Sequence, residues 1–170
     1  MAWMDAFSEY GPWNVGSGNI LRSKGDAIVS PANSYGYMDG RIDLAYRNHF
    51  GLGIQTLLQH LIEQNWNGML PVGEAVIVPT KNEAIPHLIA APTMERPKDV
   101  STTENAYVAM VAALRVVKRY NAWAQSNEQG EIHRILVPGL CTGIGGMKVD
   151  TAARQMRRAV DEALAEWDTW

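Results

Sequence analysis

Asp26 to Gly51, DAIVSPANSYGYMDGRIDLAYRNHFG, is the stretch that most narrows what this chain can fold into. Ala27-Ile28-Val29 is short and apolar with β-branched content, which suits a strand buried on both faces. Pro31 cannot donate to a ladder and biases Ser30 toward extended geometry, so the strand ends there. Ala32-Asn33-Ser34 should then leave the sheet edge as a tight, exposed segment. A loop from Tyr35 to Gly40 follows, and Ile42-Asp43-Leu44-Ala45-Tyr46 reads as the first turns of a helix. Strand, glycine-bearing loop and helix start together form the geometry that presents backbone N–H groups to an anion.

The rest of the chain alternates in the same way. Residues 1–25 promise one short strand at best, with Trp13-Asn14-Val15 as an edge candidate. Ile54, Leu57, Leu58, Leu61 and Ile62 share one helical face. Ala75 to Pro79 and His87 to Ala91 are apolar runs expected to be neighbouring buried strands joined near Lys81-Asn82. Ser101-Thr102-Thr103-Glu104 matches a capping box before a helix whose apolar face runs to about Tyr120. Ile132 to Val137 is the last expected strand. It opens into Pro138-Gly139-Leu140-Cys141-Thr142-Gly143-Ile144-Gly145-Gly146-Met147, and a final helix begins near Asp150. Four glycines between Gly139 and Gly146 cost conformational entropy unless backbone must approach something closely. Strands alternating with helices imply an α/β fold with helices on both faces of a mixed sheet, where ligands bind beyond the carboxyl ends of strands.

Composition excludes several classes. The 170 residues suit one domain spanning 1–170, able to bury about 70% of its unfolded surface. One cysteine, Cys141, leaves no internal disulfide and no multi-cysteine metal site, which fits a reducing cytoplasmic setting. The four histidines show no metal-ligand spacing, so neither metal nor cofactor is expected. Acidic residues precede any apolar run at the start and no basic stretch opens it, so no signal peptide is expected, and no apolar run approaches a membrane span. A formal charge of −3 argues against duplex nucleic acid as main partner. Trp167 and Trp170 mark a candidate contact between copies, with the oligomeric state left open.

Three pieces in order, Asp26 to Asn33, Gly40-Arg41-Ile42-Asp43, and Pro138 to Gly146, resemble the macrodomain family of ADP-ribose-binding modules. His87 to Pro92 stands where that family has its strand before a loop. The resemblance implies a three-layer α/β/α sandwich around a mixed sheet of six or seven strands, with a cleft for ADP-ribose or an ADP-ribosylated substrate. It also implies that Asn33 holds the distal ribose and that Asp43 positions or activates water, as in hydrolysing members. Thr142, Gly143, Ile144 and Gly145 match the loop that wraps the phosphates, flanked by Gly139, Cys141, Gly146 and Met147. Ala32, Ser34, Gly40 and Arg41 fall on the first loop. Asn19 and Ile20 stand where the family contacts adenine, with Asn19 in place of an aspartate.

The chain departs from the family at two further places. Met38-Asp39-Gly40-Arg41 replaces a run of glycines, so Arg41 is expected either to pair with phosphate or to narrow the mouth of the cleft. Gly145 replaces an aromatic. Judged by residues alone, Asn33 also suits a plain turn, Asp43 a first-turn acid favoured by the helix dipole, and Cys141 a small packed side chain. Two functions are therefore carried forward: binding with hydrolysis of ADP-ribose from an acceptor, and a reader or sequestering module that does no chemistry. A Rossmann-type oxidoreductase is set aside, because no strand-linked G-x-G-x-x-G is followed by a ribose-binding acid.

Overall fold

The computed structural model describes residues 1–167. In chain order it contains α1 (Ala2–Ala6), β1 (Ala27–Ser30), α2 (Arg41–Phe50), α3 (Gly53–Trp66), β2 (Val76–Pro79), β3 (His87–Ala90), α4 (Asn105–Ser126), β4 (Ile135–Leu136) and α5 (Val149–Trp167), with a 3-10 turn at Ile20–Arg22. Among the described residues the sheet has four strands in the order β2-β3-β1-β4. β1 is parallel to both neighbours, with Val29 opposite Ile89 and Ile28 opposite Leu136, while β2 runs antiparallel to β3. The sheet is mixed, as expected, and smaller than the six or seven strands expected.

Alternation along β1 decides which helices cover which face. Ala27 and Val29 pack with Ala109, Ala113 and Val117 of α4 and with Ala152 and Met156 of α5. Ile28 points the other way, into Tyr46 of α2 and Ile54, Leu58 and Ile62 of α3. Burying a Val or Ile side chain is worth about 1.5–3 kcal/mol, so a slip of one residue, which would swap these faces, is strongly disfavoured. No helix among the described residues is long and apolar enough to cross a membrane.

Local chemistry explains the departures from sequence expectation. The strand expected over Ile132 to Val137 pairs only at Ile135 and Leu136. The Asn121 side chain takes both the N–H and the carbonyl of Ile132, each at 2.8 Å, and Asp26 Oδ2 accepts from His133 N at 2.8 Å and Arg134 N at 2.7 Å. Side chains thus occupy backbone groups a strand would have used. Trp13-Asn14-Val15 forms no strand either; the Trp13 indole turns back on the preceding turn, donating to Phe7 O and Glu9 O.

The capping box does not form. Glu104 is drawn to Arg158 on α5 by two bonds of 3.2 and 2.7 Å, and the Thr103 hydroxyl instead accepts from Asn105 N at 3.2 Å. The helix that follows runs past Tyr120 to Ser126. Trp167 packs half-buried against the α4 and α5 core, and Trp170 lies outside the described residues.

Tyr46 ties the α2 layer to the sheet through a bond from its Oη to Val29 O at 3.2 Å. Tyr46→Phe keeps the ring and removes only this bond, so a loss of about 1 kcal/mol in urea unfolding is expected.

Candidate functional site

Because β1, β3 and β4 run parallel, their carboxyl ends lie on one edge, and the loops that follow them meet there. The first loop is held from three sides. Ser34 N donates to Glu95 O at 3.2 Å in the loop after β3, Leu70 N donates to Ser34 O at 2.8 Å, and Gln55 Oε1 of α3 accepts from Met38 N at 2.7 Å. Gly36 has φ +72°, and a methyl there would sit 2.9 Å from Ile62 Cδ1, so close packing on α3 requires glycine. The segment expected to be exposed is in fact largely covered. Ala32, Ser34 and Met38 are buried, because their neighbours on α3 and after β3 close over them.

Asn33 organises this loop. Its Oδ1 accepts from Tyr35 N at 3.0 Å and Tyr37 N at 3.3 Å, and its Nδ2 donates to Tyr37 O at 3.2 Å. Together with Gly36 N bonding to Asn33 O, these contacts engage every N–H from Ser34 to Met38. Among the described residues, the donors left without a protein partner in this stretch are those of Asp39, Gly40, Arg41 and Ile42, at the N-terminus of α2. Arg41 is exposed and has φ +31°, a strained conformation for a side-chain-bearing residue.

Asp43 lies in the first turn of α2 and is 8% exposed. Its Oδ1 accepts from the fully buried Ser30 hydroxyl at 2.5 Å. Burial pushes its carboxyl from 3.8 to about 6, the Ser30 bond pulls back, and the charge of Asp39 adds to the rise. A carboxyl poised near neutrality suits proton transfer.

The second loop complements the first. The N–H groups of Thr142, Gly143, Ile144 and Gly145 make no hydrogen bond within the described residues, whereas Gly146 N and Met147 N turn back to Gly143 O and Cys141 O. A methyl on Gly143 would stand 3.4 Å from Arg41 Cδ, and one on Gly40 would stand 3.6 Å from Ile144 Cδ1, so the two loops touch at these points. Gly145 fits where no side chain could: a methyl would lie 2.7 Å from Val100 Cγ2 and 2.8 Å from Cys141 O. Gly145 O also accepts from Val100 N at 2.9 Å, tying this loop to the one after β3.

Cys141 is buried with φ +64°. Burial pushes its thiol up to about 11, against a smaller opposing effect from Thr93, so it is a protonated packing residue at neutral pH. Met147 is buried beneath the same loop, while Gly139 lies exposed at the loop's start. Asn19 is exposed and its Oδ1 accepts from Leu21 N at 3.0 Å, capping the turn in which Ile20 is half-buried.

The structure therefore brings the two loops together around Gly40, Arg41, Gly143 and Ile144, and spends much of the Asn33 amide on its own loop. Sequence reading missed Ser30 as the partner of Asp43; a hydroxyl ending an otherwise apolar buried run was the available signal.

The free donors of the two loops form a surface suited to an anion such as pyrophosphate. A family model described as Macro domain matches residues 29–156. An uncharacterized protein of Aquifex aeolicus (strain VF5) is 32% identical over 143 residues, spanning 84% of this chain and 76% of that protein. Another uncharacterized protein, from Aeropyrum pernix, is 31% identical over 153 residues, spanning 90% and 72%. Among solved structures, the macrodomain of Mycobacterium tuberculosis DarG aligns with a TM-score of 0.70 at 22% identity, covering 86% of this chain and 88% of that one. The Oceanobacillus iheyensis macrodomain with ADP aligns with a TM-score of 0.72 at 22% identity, covering 88% and 74%. A variant of that macrodomain has been solved with ADPR.

Proposed function

Because this chain belongs to the macrodomain family, we propose that the crevice between residues 33–43 and 139–147 binds ADP-ribose and that Asp43 serves in releasing it from an acceptor. The observation that carries the binding step is the set of unpartnered backbone donors from Asp39 to Ile42 and from Thr142 to Gly145. They would receive the pyrophosphate, with Arg41 adding a charge-assisted bond beside Gly143. Asn19 and Ile20 would face adenine, and Asn33 the distal ribose. In the release step Asp43 takes a proton from water as the water oxygen bonds to the anomeric carbon. The acceptor leaves with the electron pair of the broken bond and then takes up a proton.

Calorimetric titration with ADP-ribose, beside ADP and AMP, tests the reading. Micromolar binding that weakens on removal of the distal ribose is expected; equal affinity for ADP would remove Asn33 from that role. Asn33→Ala, which deletes three loop bonds, is expected to weaken ADP-ribose binding about tenfold or more. Asn33→Asp keeps the Oδ1 acceptor and loses the Nδ2 donor, so the same titration should find it between the two.

A second reading, binding without cleavage, draws on how far Asp43 is covered and on the absence of an aromatic at Gly145. It requires ADP-ribosylated substrates to come through long incubation with the protein unchanged, as followed by mass spectrometry. Free acceptor or free ADP-ribose in that incubation would exclude it.

A further inference from the structure

Trp3 is more than a hundred residues from the glycine loop in sequence, yet its indole rests against the loop's first glycine. A methyl built on Gly139 would stand 3.0 Å from Trp3 Cζ2 and 3.1 Å from Thr142 Oγ1. A helix of five residues such as α1 does not hold itself together in water. Here Arg157 of α5 does much of the holding. Its Nη1 donates to Ala6 O at 2.9 Å, its Nη2 pairs with Glu9 at 3.1 Å, and its Nε pairs with Asp161 at 2.8 Å. The same guanidinium lies 4.3 Å from the centre of the Trp13 ring and 5.7 Å from that of Phe7. Trp3 and Phe7 also pack against the core shared by α4 and α5.

A loop rich in glycine binds well only if something other than its own sequence fixes it, because each glycine brings freedom that binding must remove. On the far side, Val100 N holds Gly145 O. On the near side, Trp3 is the large side chain that meets Gly139.

We infer that residues 2–13 brace the glycine loop, with Trp3 as a positioning residue that sets the backbone around Gly139 and Thr142 for the ligand phosphates. The inference rests on the ADP-ribose reading of the crevice for its ligand, and on geometry alone for the brace.

Cys141, the single cysteine of the chain, lies buried in this loop, so the rate at which a thiol reagent labels it reports loop opening without any ligand. Trp3→Phe keeps an aromatic ring in the core and removes the outer indole edge that touches Gly139. It is expected to speed Cys141 labelling about tenfold and to weaken ADP-ribose binding by a similar factor. Gly139→Ala crowds the same contact from the opposite side and should act in the same direction. In the double variant the added methyl occupies the space the smaller ring vacates, so labelling and affinity should return toward wild type rather than worsen additively. Wild-type labelling and affinity in Trp3→Phe, or additive losses in the double variant, would overturn the brace. If the wild-type protein binds no ADP-ribose, the reading of the crevice fails, while the labelling rates of the four proteins still decide the brace.

Discussion

Asp43→Asn is expected to slow release of ADP-ribose by about 10²- to 10⁴-fold while making the protein more stable above pH 6. The two effects have one cause. Asp43 is nearly buried, and burial lifts its carboxyl from 3.8 to about 6 despite the Ser30 hydroxyl that favours the charged form. An acid whose folded value is raised binds more protons in the folded than in the unfolded state. The contribution of Asp43 to stability is therefore full below about pH 4 and is lost as pH rises through about 6. A rise of about two units corresponds to roughly 3 kcal/mol, an upper figure for what the folded protein loses across this window. Asparagine stays neutral and can still accept from Ser30, so the variant should match wild type near pH 4 and exceed it by about 2 kcal/mol at pH 8. Urea unfolding at the two pH values measures this. Turnover of the wild type should climb with pH through about 6, as the base form appears. A variant that gains the stability and keeps full turnover would take Asp43 out of the release step; one that loses turnover and gains nothing would mean the carboxylate is better solvated than its burial implies.

Gly145→Ala is expected to destabilise the protein by about 3 kcal/mol, at the high end for adding one methyl to a packed site. The methyl would meet Val100 Cγ2 at 2.7 Å, Cys141 O at 2.8 Å and Cys141 Cα at 3.3 Å. Two of these atoms are backbone, and that backbone is tethered: Gly145 O holds Val100 N at 2.9 Å, and Cys141 O holds Met147 N at 3.0 Å. Relief by a side-chain rotation is open only to Val100. Gly143→Ala is the control, since its methyl would face only Arg41, no closer than 3.4 Å. In denaturant titrations the midpoint should fall for Gly145→Ala at an unchanged slope, and stay within about 0.5 kcal/mol of wild type for Gly143→Ala. Equal midpoints for the two variants would show that the loop is wider in solution. The same contacts explain why an aromatic, which the family resemblance would place at this position, is excluded from this chain unless Val100 and Cys141 move.

The parts of the fold legible in sequence were those whose cause is local. Ala27-Ile28-Val29 and Val76-Ile77-Val78 announce strands by their own apolar content, the first fully buried and the second an edge strand in which only Val78 is buried, and the loop from Gly139 to Gly146 announces close backbone approach by the cost of its glycines. What was not legible depends on partners distant in the chain. Asp26 takes the N–H groups of His133 and Arg134 more than a hundred residues away, which removes two positions of an expected strand. Arg158 takes Glu104 out of a capping box that its neighbours would otherwise support. Ser30 and Asp43 are thirteen residues apart, and only the turn of the chain from β1 into α2 brings hydroxyl and carboxylate together. At the candidate site the residues of both loops could be named in advance, but not that Asn33 would spend its amide on its own loop.

The loop after β3 carries none of the residues assigned to the ligand, yet it is bonded to both loops that do. Its Glu95 carbonyl holds Ser34, and its Val100 amide holds Gly145. The width of the crevice is thus fixed by a third party. Exchange of one ligand loop with a relative would import a shape tuned to another spacer, so the three segments should transplant as a set. Lengthening the stretch between Glu95 and Val100 is the change that would widen the crevice without altering a residue inside it.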